Sequence, residues 1–219
     1  LRVIVRIKTA VSDSGDENLT YVFAMNVKLL VFAGVLVLLG LWGVSVNNGL
    51  VDKEETVKSR WAQVENQYQR RSDLIPNLVE TVKAAANFEQ ETLTQVADAR
   101  SKATSIQLSA DALKDPVAFA KFQEAQSELT GALSRLMMTA EKYPDLKANQ
   151  NFADLSVQLE GTENRIATER GRYNEAAQTF NSSVRKFPAS LFAGILGFEK
   201  VAYFEAEKGA AAAPKVSFN

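Results

Sequence analysis

Few side chains in this sequence are placed to do chemistry. Arg71 falls on an otherwise apolar helical stripe, with Arg70 beside it. A guanidinium there either opens a polar site inside a bundle or pairs with a carboxylate on a facing helix and sets the register. Glu89 and Glu169 interrupt stripes in the same way. The register reading is preferred, with Glu169 or Glu160 as the expected partner of Arg71. Glu160 and Glu163 form an E-x-x-E pair, which puts two carboxylates on one helix face. Diiron bundles use E-x-x-H pairs, and this chain has no histidine. Carboxylates alone suit a hard cation, but nothing in the sequence assembles a cage. Thr162 and Asn164 are expected to satisfy local hydrogen bonds.

The remaining motifs carry less. The segment "GILGFEK" at 194–200 has glycines and a lysine but lacks the spacing and the flanking strand of a phosphate loop. The chain has no cysteine and no histidine, which excludes disulfides, thiolate catalysis, Cys/His zinc sites and a histidine general base. No nucleophile has a visible base. The reading therefore assigns no catalytic residue, no cofactor-binding residue and no metal ligand; it expects no cofactor and no enzyme. Lys and Arg total 25 against 26 Asp and Glu, so the balance gives no argument for nucleic acid.

These side chains must be positioned by long helices. Only 5 prolines and 11 glycines occur, and long stretches lack both. Residues 29–46 carry no charge over 18 positions, the lower end of what a helix needs to span a bilayer. A cleaved signal peptide is the rival reading, with "GVS" at 43–45 as a weak cleavage site. The uncleaved anchor is preferred, with Trp42 near its far end, where interfacial aromatics are common. Residues 1–24 precede the first methionine, Met25, and read as a disordered tail or a mis-assigned start.

From Val57 the apolar residues follow steps of three and four: Trp61, Val64, Tyr68, Ile75, Leu78, Val82, Ala85, Leu93, Val96 and Ala103. The phase survives Pro76. One kinked helix is the economical reading, with a break near Asn87 as the alternative. Asp115 before Pro116 predicts a second helix to about Tyr143, with Phe122, Ala125, Leu129, Ala132 and Leu136 inward. A third helix is expected over 152–186, on the stripe Phe152, Leu155, Leu159, Thr162, Ile166, Glu169, Tyr173, Ala176, Phe180 and Val184. Such sustained stripes indicate coiled-coil-like packing. "SLFAGILGF" at 190–198 is too short to span a bilayer and is expected to fold back onto the bundle through Phe192, Ile195 and Phe198, the alternative being a membrane or partner contact. The tail after Gly209 reads as flexible.

Three segments carry a family resemblance. "WAQVENQYQRRSDLIPNLVETVK" at 61–83, "EKYPDLKANQNF" at 141–152 and "LEGTENRIATERGRYNEAAQTFN" at 159–181 resemble the signature segments of LemA family proteins, in order. The resemblance covers residues from about 29 to 219, including the closing "FP" and "PKVSF". Phe180, where the family often has Tyr, and "KAAANFEQ" depart from the pattern. The resemblance implies one membrane span followed by an antiparallel bundle, often of four helices, with no established catalytic residue.

The fold class is thus all-α: an N-terminal transmembrane helix and an elongated antiparallel bundle of three to four long helices. The expected organisation is a tail at 1–24, a transmembrane signal-anchor at 25–48, a helical bundle at 49–188, and a C-terminal apolar segment with its tail at 189–219. The expected role is a single-pass, membrane-anchored scaffold or interaction protein of the bacterial envelope, held in the inner membrane by residues 29–46 with its bulk outside the cytoplasm. Envelope proteins are the expected partners, self-association is left open, and nucleic acid is not expected. The alternative is a module that binds lipid or cell-wall polymer.

Overall fold

A computed structural model of the protein describes residues 2–84 and 88–206, with side chains from Leu29 onward. The tail reading of 1–24 concerns residues whose side chains lie outside that description, and the flexible tail after Gly209 lies outside it altogether. Among the described residues the structure is all-α. Its helices are α1 (Arg2–Lys83), α2 (Gln90–Ser105), α3 (Pro116–Ala140), α4 (Pro144–Lys147), α5 (Gln150–Arg185) and α6 (Ala189–Ala193), with a 3-10 turn at Asp111–Lys114. The chain divides into two compact units, Leu1–Gly49 and Leu50–Asn219.

The first unit is helical. Within it residues 29–46 form a stretch of ~27 Å at 1.5 Å per residue. Its large apolar side chains, Leu29, Leu30, Phe32, Leu38 and Leu41 among them, are exposed. It is the described stretch that is long and apolar enough to cross a membrane.

The second unit is a four-helix bundle. α1 ends at Lys83, and α2 returns along it, with Arg100 beside Ser72. This corrects the reading of one kinked helix continuing to Ala103: the alternative break near Asn87 is the one the fold adopts, and residues 85–87 lie outside the description. The apolar phase misled because both helices present a three-four stripe to the same core. α3 then runs parallel to α1, placing Gln126 and Thr130 at Arg71 and Phe119 and Phe122 at Trp61. α5 runs antiparallel to α1, placing Glu163 at Arg71 and Tyr173 at Trp61.

Local chemistry sets the helix starts. The Asp115 carboxylate accepts from the N–H groups of Val117 and Ala118 at 2.8 and 3.2 Å, with Pro116 just inside the helix. Asn149 caps α5 by accepting from Phe152 N–H at 3.2 Å. Pro76 lies inside α1 without ending it. A proline has no N–H, so it deprives the carbonyl four residues earlier of its partner. That carbonyl belongs to Ser72, and Arg100 Nε of α2 donates to it at 3.0 Å. A neighbouring helix thus supplies the hydrogen bond that the proline removes.

The bundle has two cores. One is rich in aromatics, with Trp61, Phe119, Phe122, Tyr173, Phe180 and Phe204. The other is mainly aliphatic, with Ile75, Leu78, Val82, Leu93, Val96, Leu129 and Leu136. Every stripe position predicted on α1, α2 and α3 that the structure describes is buried. On α5, Leu155, Glu169, Ala176 and Val184 are only half-buried, because the stripe drifts toward the bundle edge.

The C-terminal segment divides. Phe198 packs on Phe180, with ring centroids 6.4 Å apart, and Ala193 is buried. Ile195, expected as an anchor, is 84% exposed, which corrects that expectation. Beyond it, residues 200–206 lie without helix across the aromatic core, and Val201 and Phe204 are buried there.

Candidate functional site

Arg71 occupies the seam between the two cores. Along α1 the aromatic core ends at Tyr68 and the aliphatic core begins at Ile75. On α3 the seam is Gln126, between Phe122 and Leu129. On α5 it is Thr162 and Glu163, between Leu159 and Ile166. The polar layer therefore follows from polar positions at the same height on α1, α3 and α5.

The Arg71 side chain is only 1% exposed. Nη1 donates to Glu163 Oε1 at 2.7 Å and to Thr130 Oγ1 at 2.8 Å. Nη2 donates to Gln126 Oε1 at 2.5 Å, and the guanidinium lies 5.1 Å from the centre of the Tyr68 ring. Gln126 Nε2 in turn donates to the Ala103 carbonyl of α2 at 3.3 Å. One guanidinium thus ties α1 to α3 and α5 directly, and to α2 through Gln126. Arg71 Nε has no hydrogen-bond partner among the described residues.

The expected partners of Arg71 were Glu169 or Glu160, and the structure corrects both. Glu160 is exposed, and Glu169 pairs with Arg172 on its own helix at 2.5 Å. The partner is Glu163, 32% exposed, which turns one oxygen inward while keeping contact with water. Arg70, next in sequence, is exposed. Glu89 pairs with Lys142 at 3.6 Å on the surface. Thr162 is fully buried and donates to the Gln158 carbonyl of its own helix at 2.8 Å, whereas the Asn164 side chain faces solvent. The E-x-x-E pair is split, one carboxylate committed to Arg71 and the other in solvent. Among the described residues no three carboxylates gather as a metal site would need.

Two recesses flank this layer. A cavity of about 160 Å³ lies between α1, α3 and α5, lined by Tyr68, Arg71, Gln126, Glu163 and Arg170. A larger groove of about 340 Å³ is lined by Glu65, Tyr68, Ser72, Gln107, Phe122 and Leu129. Burial raises the Glu65 carboxyl above its ordinary value.

The second polar constellation escaped the sequence reading. Asn181 clasps the backbone of Val201, donating to its carbonyl and accepting from its N–H, both at 2.9 Å. Asn174 clasps Phe204 in the same way, both at 2.9 Å. Gln123 of α3 clasps Glu205 at 2.8 and 3.2 Å. Tyr173 donates its hydroxyl to the Ala202 carbonyl at 2.9 Å, and Ala202 N–H donates to Leu113 O at 2.8 Å. Burial raises the Tyr173 phenol well above its ordinary value, so it is held as a neutral donor. A side-chain amide presents an N–H donor beside a carbonyl acceptor, which matches the C=O and N–H of a single extended residue. The only signal in the sequence was an amide at intervals along an otherwise apolar face.

Chemically, both constellations are closed. Apart from Arg71 Nε, the donors named here face acceptors of the same chain, and the arrangement fastens helices together.

Comparison with known proteins agrees with the resemblance. The family model described as LemA family matches residues 60–218. Magnetosome protein MamQ 1 of Paramagnetospirillum magneticum is 28% identical over 186 residues, covering 78% of this chain and 68% of the relative. Magnetosome protein MamQ of Magnetospirillum gryphiswaldense gives the same identity and coverage. Protein LemA of Metamycoplasma hominis is 26% identical over 161 residues, covering 74% of this chain and 69% of the relative.

Proposed function

The chain belongs to the LemA family, and from that premise we propose that it is a single-pass membrane protein whose helical bundle serves as a scaffold for protein partners in the bacterial envelope. The observation that carries the reading is the state of residues 29–46. They are apolar on every face of the helix and unburied, whereas the long helices of the bundle turn their apolar stripes toward two cores. A helix apolar all round needs an apolar surrounding, and a bilayer provides one. The bundle adds no visible chemistry. Its buried cation is matched by a carboxylate, an amide and a hydroxyl, which supports a rigid presenting surface and not a catalyst.

In this reading the inner membrane holds the run and the bundle is exported, as for a signal-anchor near an N-terminus; Lys28 lies before the run, and residues 25–48 act as the signal-anchor. The test is fractionation of cells producing the full chain. It should resist carbonate extraction, a chain beginning at Leu50 should be recovered in the soluble fraction, and protease added to spheroplasts should cut the bundle. Full-length chain released by carbonate would overturn the anchor, and protection in intact spheroplasts would overturn the sidedness.

A further inference from the structure

We propose that the knuckle at 187–196 seats in the headgroup region of the bilayer that holds residues 29–46; this rests on the anchored reading above. Phe187, Leu191, Ile195 and Leu196 are 79, 60, 84 and 45% exposed. They are not a loose end. Ser190 N–H donates to Lys186 O, Leu196 N–H to Phe192 O and Phe198 N–H to Ala193 O, each at 2.9 Å. Gly197 turns the chain at φ 78°, a left-handed conformation that suits glycine. Ala193 and Phe198 fasten one side of the knuckle to the bundle. The other side holds four large apolar side chains in solvent, uncovered among the described residues. Such a patch marks a surface that meets something apolar.

Its place in the bundle says what it meets. Arg71 and Glu163 fix the offset of two antiparallel helices. Val184 lies 21 positions after Glu163, and Leu50 lies 21 before Arg71, so α5 ends at the end of the bundle that Leu50 begins. The Lys114–Glu54 ion pair at 3.2 Å and the bond from Ala202 to Leu113 place the start of the C-terminal strap at that same end. The apolar run stops at residue 46, four steps along the chain from Leu50. Even fully extended, those steps span at most about 14 Å. Chain connectivity alone therefore keeps this end of the bundle near the bilayer boundary. The flanks also fit an interfacial segment. Arg185 and Lys186 precede the knuckle and Lys200 follows it, against one acid, Glu199. Long cationic side chains can lie beside an embedded apolar group while keeping their charge at the headgroups.

The chain has no cysteine, so single probes can be introduced without background. The full chain would be reconstituted in vesicles of phosphatidylcholine and phosphatidylglycerol with an environment-sensitive fluorophore on Ile195→Cys. Leu36→Cys in the apolar run and Val157→Cys, exposed on α5 beyond the Arg71 layer, serve as references. The expected result is loss of Ile195→Cys and Leu36→Cys emission to spin-labelled lipid, with both shielded from aqueous iodide and Val157→Cys quenched by iodide. If Leu36→Cys reports lipid while Ile195→Cys is as open to iodide as Val157→Cys, the knuckle contact is refuted and the anchor stands. Shielding of Ile195→Cys from both quenchers would show a second copy or another protein on the knuckle and would equally refute it. If Leu36→Cys itself is open to iodide, the anchored reading fails and takes the proposal with it.

Discussion

Arg100→Met tests the claim that a second helix completes the hydrogen bonding of α1 around Pro76. Methionine keeps much of the stem's packing and removes the donor, which isolates the bond to Ser72 O. Ser72 is buried, at 5% exposure, so its carbonyl has no ready substitute in water. Losing a hydrogen bond from a charged donor costs about 1.5–3 kcal/mol. The decisive comparison is the same substitution in a Pro76→Ala background. There residue 76 has an N–H of its own to offer the Ser72 carbonyl, and Arg100 becomes redundant. Arg100→Met should then cost no more than about 1 kcal/mol, leaving a coupling energy of about 0.5 kcal/mol or more between two residues that the sequence separates by a helix reversal. The assay is urea unfolding of the full chain in detergent, followed by far-ultraviolet circular dichroism. Midpoints are compared only among variants of equal m-value, since a changed slope would signal a change in the denatured or native ensemble. Equal costs of Arg100→Met in both backgrounds would refute the reasoning and leave Arg100 as a packing residue.

Two further outcomes are expected. Glu163→Ala, which leaves Arg71 buried without its carboxylate, should cost about 3–5 kcal/mol in the same assay, whereas the pair Arg71→Met and Glu163→Leu should come near wild type; a double variant as unstable as the single would show that the layer does more than match its own charges. Tyr173 supplies a pH signature. Its phenol is raised in the folded state above the ordinary value of 10.0, so the folded chain holds a proton that the unfolded chain releases. The stabilisation is present below pH 10 and falls as pH rises beyond it. Melting temperatures of wild type and Tyr173→Phe should converge above that pH, and parallel profiles would rule Tyr173 out as the source.

The helices of the bundle were legible because helical periodicity is local. Val57 to Val82, Phe122 to Leu136 and Phe152 to Phe180 each declare an inward face through spacing alone, and Asp115-Pro116 declares a helix start through chemistry that reaches only two or three residues. The uncharged run at 29–46 is legible for the same reason, since length and composition suffice to describe what a bilayer accepts. The family followed from three contiguous segments, matched within residues 60–218.

Contacts between helices had no such signal. The stripe said that Arg71 faces inward. Whether it meets Glu160, Glu163 or Glu169 depends on the rotation and axial offset of α5, and one helical turn changes the answer. The reversal after Lys83 was hidden because α1 and α2 share a core and so share a phase. The clasps of Asn174, Asn181 and Gln123 on residues 201–205 join positions 20 to 82 apart in sequence, and no local pattern marks an amide that waits for a distant backbone. Local order follows from each residue's neighbours along the chain. Which polar groups satisfy one another follows from how the helices pack, and only the folded bundle brings those groups within reach.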